Sequence, residues 1–567
     1  MRGSTVFINA RPAIRFPASN GALSTSERAR ITSERLLRLV GQGASAYSIY
    51  AKGQRRQARV CAGQSMICLV TQLDARSRRT SPLALAGSWA ENIRSLLLMP
   101  PIILSDRNLT VPLGENRLVF VTGAATGPVG AKSDRSEVAA ASPGTDGRYV
   151  QITGRQVGQA TVGIEVEGET GLVNVYVKKY AGGVAGSAFT EVTGSPCPTA
   201  LLVYAASQAA LRGAVLEPGS TIRVERIEGT RTALQPGLTR QATVSVAIRG
   251  EGYIDYQGAC RVEVHDSVMT RDEVQQLFYS NNPERLAKYQ ELFAGRLEAD
   301  KSTRVLYHHQ NSVGKRARLL VELVNASGAP AAFRVFRGVS APLVDTVLVG
   351  YIASSAFLKD QFHNASVIER LPPQSRLILV SDLLGNLETS SGIFQIRQIA
   401  GTGAYIRIAG VPPEVDNLAV GAIAPAPESA VIQVSEHVYP RPARSLEAGY
   451  VVGQRWAFIP IGKQAIDSHD AQRKLDGNYG VTYQINVKVE NPTDQEKKVS
   501  VMFDPTAGLA SGVFIIDGSF VSAKYAQPPN EVPLMTYWLK PGETRNVRIE
   551  TLPVAGSNYP ATLVVKS

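Results

Sequence analysis

From about residue 102 onward, apolar and polar residues alternate in short runs. Thr161-Val-Gly-Ile-Glu-Val-Glu167, Val173-Asn-Val-Tyr-Val-Lys178, Thr243-Val-Ser-Val-Ala-Ile248 and Tyr483-Gln-Ile-Asn-Val-Lys-Val489 are examples. Successive strand side chains point to opposite faces, so a period of two bounded by Gly, Pro, Asn and Asp predicts half-buried antiparallel strands. Many such strands at short spacing predict β-sandwiches. The first 100 residues follow other periods. Val6–Ala10 and Ala13–Phe16 read as strands, and Ser24-Thr-Ser-Glu27 is a capping box that opens a helix to about Val40. Its predicted core face holds Ile31, Leu36, Leu39 and Val40. Arg59-Val-Cys61 and Met66–Thr71 read as a hairpin around Ala62-Gly63. Ser81-Pro82 opens a second helix, with Leu85, Trp89, Ile93, Leu96 and Leu97 at helical spacing and Pro100-Pro101 after it.

One later stretch departs from the β pattern. Thr270–Phe278 and Asn282–Phe293 read as helices, with Asn282 as cap, Pro283 in the first turn and Leu286, Tyr289, Leu292 and Phe293 on one face. The predicted fold is therefore mainly β. A small α+β module (1–100) precedes tandem Ig-like antiparallel β-sandwiches over 101–180, 181–268, 301–445 and 446–567, with a short helical connector over 269–300.

Internal repetition supports tandem sandwiches. A turn-plus-strand signature recurs from Val111-Pro-Leu-Gly114, Leu216-Glu-Pro-Gly219, Leu371-Pro-Pro-Gln374 and Leu539-Lys-Pro-Gly542. A second signature occurs as Leu323-Val-Asn-Ala-Ser327 and Val489-Glu-Asn-Pro-Thr493. Asn325 precedes Leu371 by 46 residues and Asn491 precedes Leu539 by 48, which predicts two sandwiches of similar layout.

At 567 residues the chain is too long for a single core. With 44% hydrophobic and 19% charged residues it is neither mostly disordered nor a polytopic membrane protein. Leu96–Leu104, its most apolar run, is too short to span a bilayer and holds two prolines. Met1–Asn9 lacks the apolar run of a signal peptide. The expectation is an intracellular chain or one whose leader lies outside this sequence.

The net charge of +12 is uneven. Residues 1–100 hold 15 Lys and Arg against 4 Asp and Glu, while the other 467 hold 45 against 44. Any anionic partner is therefore expected at the N-terminal module. The candidate polyanion-binding residues are Arg28, Arg35, Arg38, Arg55, Arg56, Arg59, Arg76, Arg78 and Arg79. The alternative is a merely solvated basic face. Nucleic acid is the least favoured polyanion, because aromatic residues are sparse among these arginines.

The search for reaction chemistry finds little. Gly123–Ser133 resembles a phosphate loop, but Ala131 stands where glycine must precede Lys-Ser. Gly401-Thr-Gly403 lacks a third glycine, and no Gly-x-Ser-x-Gly elbow occurs. The six histidines show no close metal-ligand spacing, and His308-His309 lie on a predicted strand that would turn them to opposite sides. No cofactor or metal is expected. Asp467, His469 and Asp470, near Lys463, form the most reactive-looking cluster, for acid–base work or as a solvated turn. Asp146-Gly147, Asp476-Gly477 and Asp517-Gly518 read as hairpin turns. Among four cysteines without a CxxC pair, Cys197 and Cys260 are either buried thiols or a disulfide.

Leu109-Thr-Val-Pro-Leu-Gly-Glu115, Ser136-Glu-Val-Ala-Ala140, Val150-Gln-Ile-Thr-Gly154, Gly158-Gln-Ala-Thr-Val162 and Val173-Asn-Val-Tyr-Val177 appear in one order. In that order residues 107–177 resemble the bacterial Ig-like (Big) domains of secreted surface proteins. The resemblance implies a seven-stranded sandwich used as a spacer or adhesive module outside the cell, with no catalytic residues. Phe7–Pro12, the Ser26-Glu-Arg-Ala29 helix, the Gly63-Gln64 hairpin and Ser88–Arg94 resemble a small N-terminal module of envelope proteins of cyanobacteria and related bacteria. That resemblance implies no activity.

The expected function is non-enzymatic: a cell-envelope or extracellular structural or adhesion protein. It would attach through its basic module to an anionic envelope polymer or another envelope protein, and self-associate through strand edges. The alternatives are an envelope-polysaccharide hydrolase using Asp467, His469 and Asp470, or a polysaccharide-binding protein with Tyr450, Trp456, Tyr479 and Trp538 as a sugar platform.

Overall fold

A computed structural model describes residues 3–54, 56–145, 147–282, 284–415, 418–427, 437–469 and 471–567. The chain divides into two compact units. The first holds residues 1–181, 217–220 and 249–255, and the second holds the rest.

The first unit begins with a hairpin, Thr5–Ile8 against Arg11–Arg15, followed by helix α1 (Thr25–Gly41). Ser24 and Glu27 close the capping box reciprocally at the start of α1. A three-stranded sheet follows (Ile49–Gln54, Gln57–Ala62, Ser65–Thr71), then α2 (Gln72–Ser77) and α3 (Pro82–Leu97). α3 turns Leu85, Trp89, Ile93 and Leu96 into a core with Phe16, Val60 and Val70. α1 departs from its expected face. Arg28, Ala29, Thr32 and Leu36 are buried, whereas Leu37 and Val40 are exposed. Residues 103–178 then form two four-stranded sheets that enclose an almost purely Val/Ile core. One of their pairings, Asn108–Pro112 with Glu169–Lys178, is parallel.

The second unit is built around an 11-stranded sheet. Helix α4 (Thr199–Arg212) packs on its first part, and Val192, Leu202, Ala206, Val244 and Val262 fill that core. Residues 181–268 thus do not close as a sandwich of their own. Ser187–Thr193 pairs with Ser366–Leu371, so this region shares one sheet with the next. On one face of the large sheet lies a five-stranded sheet, and Phe278, Val305, Tyr307, Val321, Phe333 and Phe394 pack in the core between them. On the other face Leu306, Phe336 and Ile393 join a core with helix α5 (Thr346–Phe362) and the last 120 residues. Those last residues form a five-stranded sheet over a four-stranded one.

The helical connector expected over 269–300 is absent. Among the described residues this stretch holds three strands: Gln276–Ser280, Arg285–Leu286 and Gln290–Arg296. Gln276–Ser280 is inserted between Ser302–Asn311 and Val438–Pro440, and Phe278 meets Phe293 at 5.1 Å in the core. Pairing on both edges and burial of two phenylalanines override a local helical preference.

The repeated sequence signatures have one physical cause. In each of the four turns the fourth residue of the quoted run, Gly114, Gly219, Gln374 or Gly542, has left-handed backbone. Lys540-Pro-Gly-Glu543 is the clearest case, with Glu543 N–H donating to Lys540 O at 3.1 Å, proline second and glycine third in the turn. The asparagine of the second signature holds this turn in place. Asn491 Nδ2 donates to Gln495 O (2.8 Å), Leu539 O (2.9 Å) and Lys540 O (3.1 Å). Asn325 Nδ2 does the same to Ala329 O (2.8 Å) and Pro372 O (2.9 Å). Asn311 repeats the arrangement on Lys315 O, Leu384 O and Gly385 O, a third copy that the sequence comparison missed.

Cys197 and Cys260 are not joined. Both are buried free thiols of one apolar cluster, and burial raises the pKa of each. A small apolar thiol packs there without a cross-link.

Candidate functional site

The N-terminal arginines divide sharply by environment. Arg28 is not a surface cation. Its guanidinium donates to both carboxylate oxygens of Asp74 (2.8 and 2.7 Å) and to Leu69 O (2.9 Å), with the Phe16 ring 4.4 Å away. Asp74 also accepts from Thr71 N–H (2.9 Å) and Thr71 Oγ1 (2.8 Å), closing the capping box of α2. Burial alone would raise the Asp74 pKa. The Arg28 guanidinium and the Thr71 donors outweigh it and hold the carboxyl below its ordinary value. Arg28 is therefore a structural residue, because a charge this deeply buried must be paired.

The module's four carboxylates are all engaged locally. Asp74 serves Arg28, and Glu27 accepts from Ser24 N–H and Ser24 Oγ, both at 2.8 Å. Glu34 pairs with Arg30, and Glu91 pairs with Arg94. No acid of the module is left for Arg38, Arg56, Arg59, Arg76, Arg78 and Arg79, all of which are exposed. Arg35 is half-buried, with Nη1 3.5 Å from Ile67 O. Arg55 lies outside the described residues.

These six arginines, with Lys52, sit on three elements. Arg38 is in the last turn of α1, and Arg76, Arg78 and Arg79 cluster at the end of α2, where cations complement the free helix carbonyls. The third group lies on the outer face of the hairpin. Lys52 stands directly opposite Arg59, with Tyr50 beside them and Arg56 in the tight connection. Like charges directly opposite each other destabilise a hairpin. Lys52 escaped the sequence reading because residues 49–54 were not recognised as a strand. The signal that could have found it is the pairing register, which aligns 52 with 59.

The C-terminal candidates do not converge. Asp467, at the end of a two-residue strand opposite Lys474, and His469, in the turn after it, are both exposed, and no hydrogen bond joins them among the described residues. Ser468 between them is buried, and its hydroxyl accepts from Arg473 N–H at 3.0 Å. Lys463 is exposed, and Asp470 lies outside the described residues. No group of three His, Cys, Asp or Glu able to hold a metal ion occurs among the described residues. His308 and His309 are both fully buried. His309 Nε2 meets Ser280 Oγ at 2.9 Å, whereas among the described residues neither nitrogen of His308 has a hydrogen-bond partner, Glu284 Oε1 standing 3.9 Å from its Nε2. The four aromatic residues also separate. Tyr450 is buried against Ser567, and Tyr479 donates to Ser557 O at 2.7 Å, so both rings belong to core packing. Trp456 and Trp538 are exposed, with Lys566 Nζ 4.4 Å from the Trp456 ring. Among the described residues no helix is long and apolar enough to cross a membrane.

Residues 5–98 match a sequence family described as Domain of unknown function (DUF8459). No curated protein sequence matches the chain. Similar solved structures include S-layer protein SbsC domains 4 and 5, at 23% identity over 14% of this chain and 46% of that one, with a TM-score of 0.13. The larger S-layer fragment rSbsC is 16% identical over 36% of this chain and 26% of that one, with a TM-score of 0.15. A titin Ig tandem is 13% identical over 30% of this chain and 98% of that one, with a TM-score of 0.13. The chain spans about half the length of the first of these (46%). Likenesses of this size assign no function to the chain.

Proposed function

We propose that the chain is a non-enzymatic structural protein of the cell envelope or the extracellular space, attached to an anionic envelope polymer through its N-terminal module. The observation that carries this reading is Lys52 opposite Arg59 on an exposed hairpin, in a module whose carboxylates are all engaged elsewhere. A bound polyanion relieves that repulsion and supplies the missing counter-charge. The β-rich remainder, nearly neutral, serves attachment or assembly through its surfaces. Self-pairing through the edge strand Thr221–Glu228 is the less favoured contact. That edge carries Arg223, Glu225, Arg226 and Glu228, and charged edges oppose untemplated strand addition.

The test is equilibrium binding of the full chain to heparin, a model polyanion, beside uncharged dextran. We expect heparin binding to weaken at least about tenfold between low and high salt, and about as much on replacing Lys52, Arg56 and Arg59 together by alanine. Undiminished binding by the triple variant, or binding indifferent to salt, overturns the proposal.

A further inference from the structure

A second surface, independent of the basic module, carries chemistry of its own. The five-stranded sheet of the C-terminal sandwich turns one face outward along Thr482–Glu490 and Thr544–Thr551. Cross-strand pairing sets Gln484 beside Glu550 and Asn486 beside Arg548. The end of α5 rises over the neighbouring strand Ala510–Ile516, and its Phe362 ring stands at the Asp517-Gly518 turn. Arg271 reaches in from the segment that joins two strands of the large sheet, Tyr256–Asp266 and Gln276–Ser280, and pairs with Glu550 at 2.5 Å. Together they bound an open groove of about 760 Å³.

Three features define what fits this groove. First, its donors are free. The side-chain amides of Gln484 and Asn546 and the guanidinium of Arg548, all exposed, make no hydrogen bond among the described residues. An amide both donates and accepts, and a guanidinium donates in a fixed fork. Second, the formal charge is balanced, with Arg271 and Arg548 against Glu550 and Asp517, so the groove selects neither a polyanion nor a polycation. Third, the floor consists of strands paired on both sides. It offers no free backbone edge for an extended peptide. A polar, charge-balanced, open groove with an aromatic ring on one wall matches a ligand of many hydroxyls and apolar ring faces.

We infer that this groove binds a neutral oligosaccharide chain, with Gln484, Asn546 and Arg548 hydrogen-bonding its hydroxyls and Phe362 stacking on a sugar ring. Calorimetric titration of the full chain with cellohexaose, chitohexaose and maltohexaose tests this. At least one hexasaccharide should bind. Gln484→Ala and Arg548→Ala should each weaken that binding about 5- to 10-fold, and Phe362→Ala about 10-fold, while Trp538→Ala leaves it unchanged. Gln484 and Arg548 are exposed, so their variants should keep the unfolding temperature of the parent chain. Failure of all three saccharides to bind at millimolar concentration overturns the inference. So does binding that survives the groove variants, or that is lost with Trp456→Ala or Trp538→Ala instead.

Discussion

Two strands of nearly equal length show how differently this chain uses the same backbone. Ser302–Asn311, in the large sheet, is buried at nine of its ten positions. Thr482–Glu490, in the C-terminal sandwich, alternates between buried and exposed side chains after its first two residues. The first has packed layers on both faces. Val305 and Tyr307 enter one core and Leu306 the other. The second has a core on one side and water on the other. A strand covered on both faces cannot leave its polar residues to solvent, so each either finds a partner inside, as Arg304 does, or is buried uncharged, as His308 is. Arg304 donates to Gly480 O and Thr482 Oγ1, both at 2.7 Å, and to Gln395 Oε1 at 2.8 Å, while burial pushes its pKa down to about 9. Arg334, on the strand Ala331–Val339 two places along the same sheet, bonds Asp272, Thr270 O, Ser366, Thr193 and Asn364. In the C-terminal strand Lys488 and Glu490 pair at the surface, where such a pair is worth little.

The largest consequence should come from breaking the buried network. Arg334→Met should destabilise the second unit by about 3–5 kcal/mol, because it orphans several buried acceptors and leaves Asp272 with Arg397 alone. Chemical denaturation checks this, and Lys488→Ala, its counterpart on the exposed strand, should shift stability by less than about 0.5 kcal/mol. A small effect of Arg334→Met would erase the contrast between the two regions.

Acid should expose the same contrast. Burial, with His309 as a lesser cause, pushes the His308 pKa from 6.5 down to about 3. The folded chain then refuses a proton that the unfolded chain accepts below about pH 6.5. This stabilising contribution is complete above pH 6.5 and declines as pH falls toward 3, by on the order of 4 kcal/mol. Denaturation curves across that range should show a steeper loss for the parent chain than for His308→Asn. Equal slopes would mean that His308 is not desolvated.

The smallest of the three effects tests what the two regions share. Asn325→Ala in the central sheets and Asn491→Ala in the C-terminal sandwich should each cost about 2 kcal/mol, since each unhooks a turn whose carbonyls are buried. Clearly unequal costs would show that the repeated motif is tuned by its surroundings.

These regions also differ in how far they could be read in advance. The alternation of 483–489 announced its strand, and Asp517-Gly518 announced its hairpin, with Ile516 paired to Ser519 and both turn residues left-handed. α3 followed its capping proline and its apolar spacing. α4 and α5 were missed. α5 is apolar nearly all round, burying Val347, Val349, Ala353, Phe357 and Leu358 between the large sheet and the C-terminal core, so it shows no amphipathic stripe. The stretch 270–293 erred in the opposite sense, because its apolar spacing suits a helix while its neighbours recruit it into a sheet. At the candidate site, the excess of arginine was plain in the sequence. The burial of Arg28 was not, because its partner Asp74 lies 46 residues away.

Residue order alone accounts for what is local. It set the concentration of positive charge in the first 100 residues, the caps, the left-handed turn positions and the strands with one wet face. Long-range packing supplied what depends on a second layer. It settled which arginine disappears into an ion pair and which faces its like across a hairpin. It put strands at 276–296 and helices at 199–212 and 346–362. It also placed a phenylalanine over an otherwise ordinary polar sheet face to make a groove. Periodicity records a boundary between core and water, and where packing removes the water from both sides of an element that record is lost.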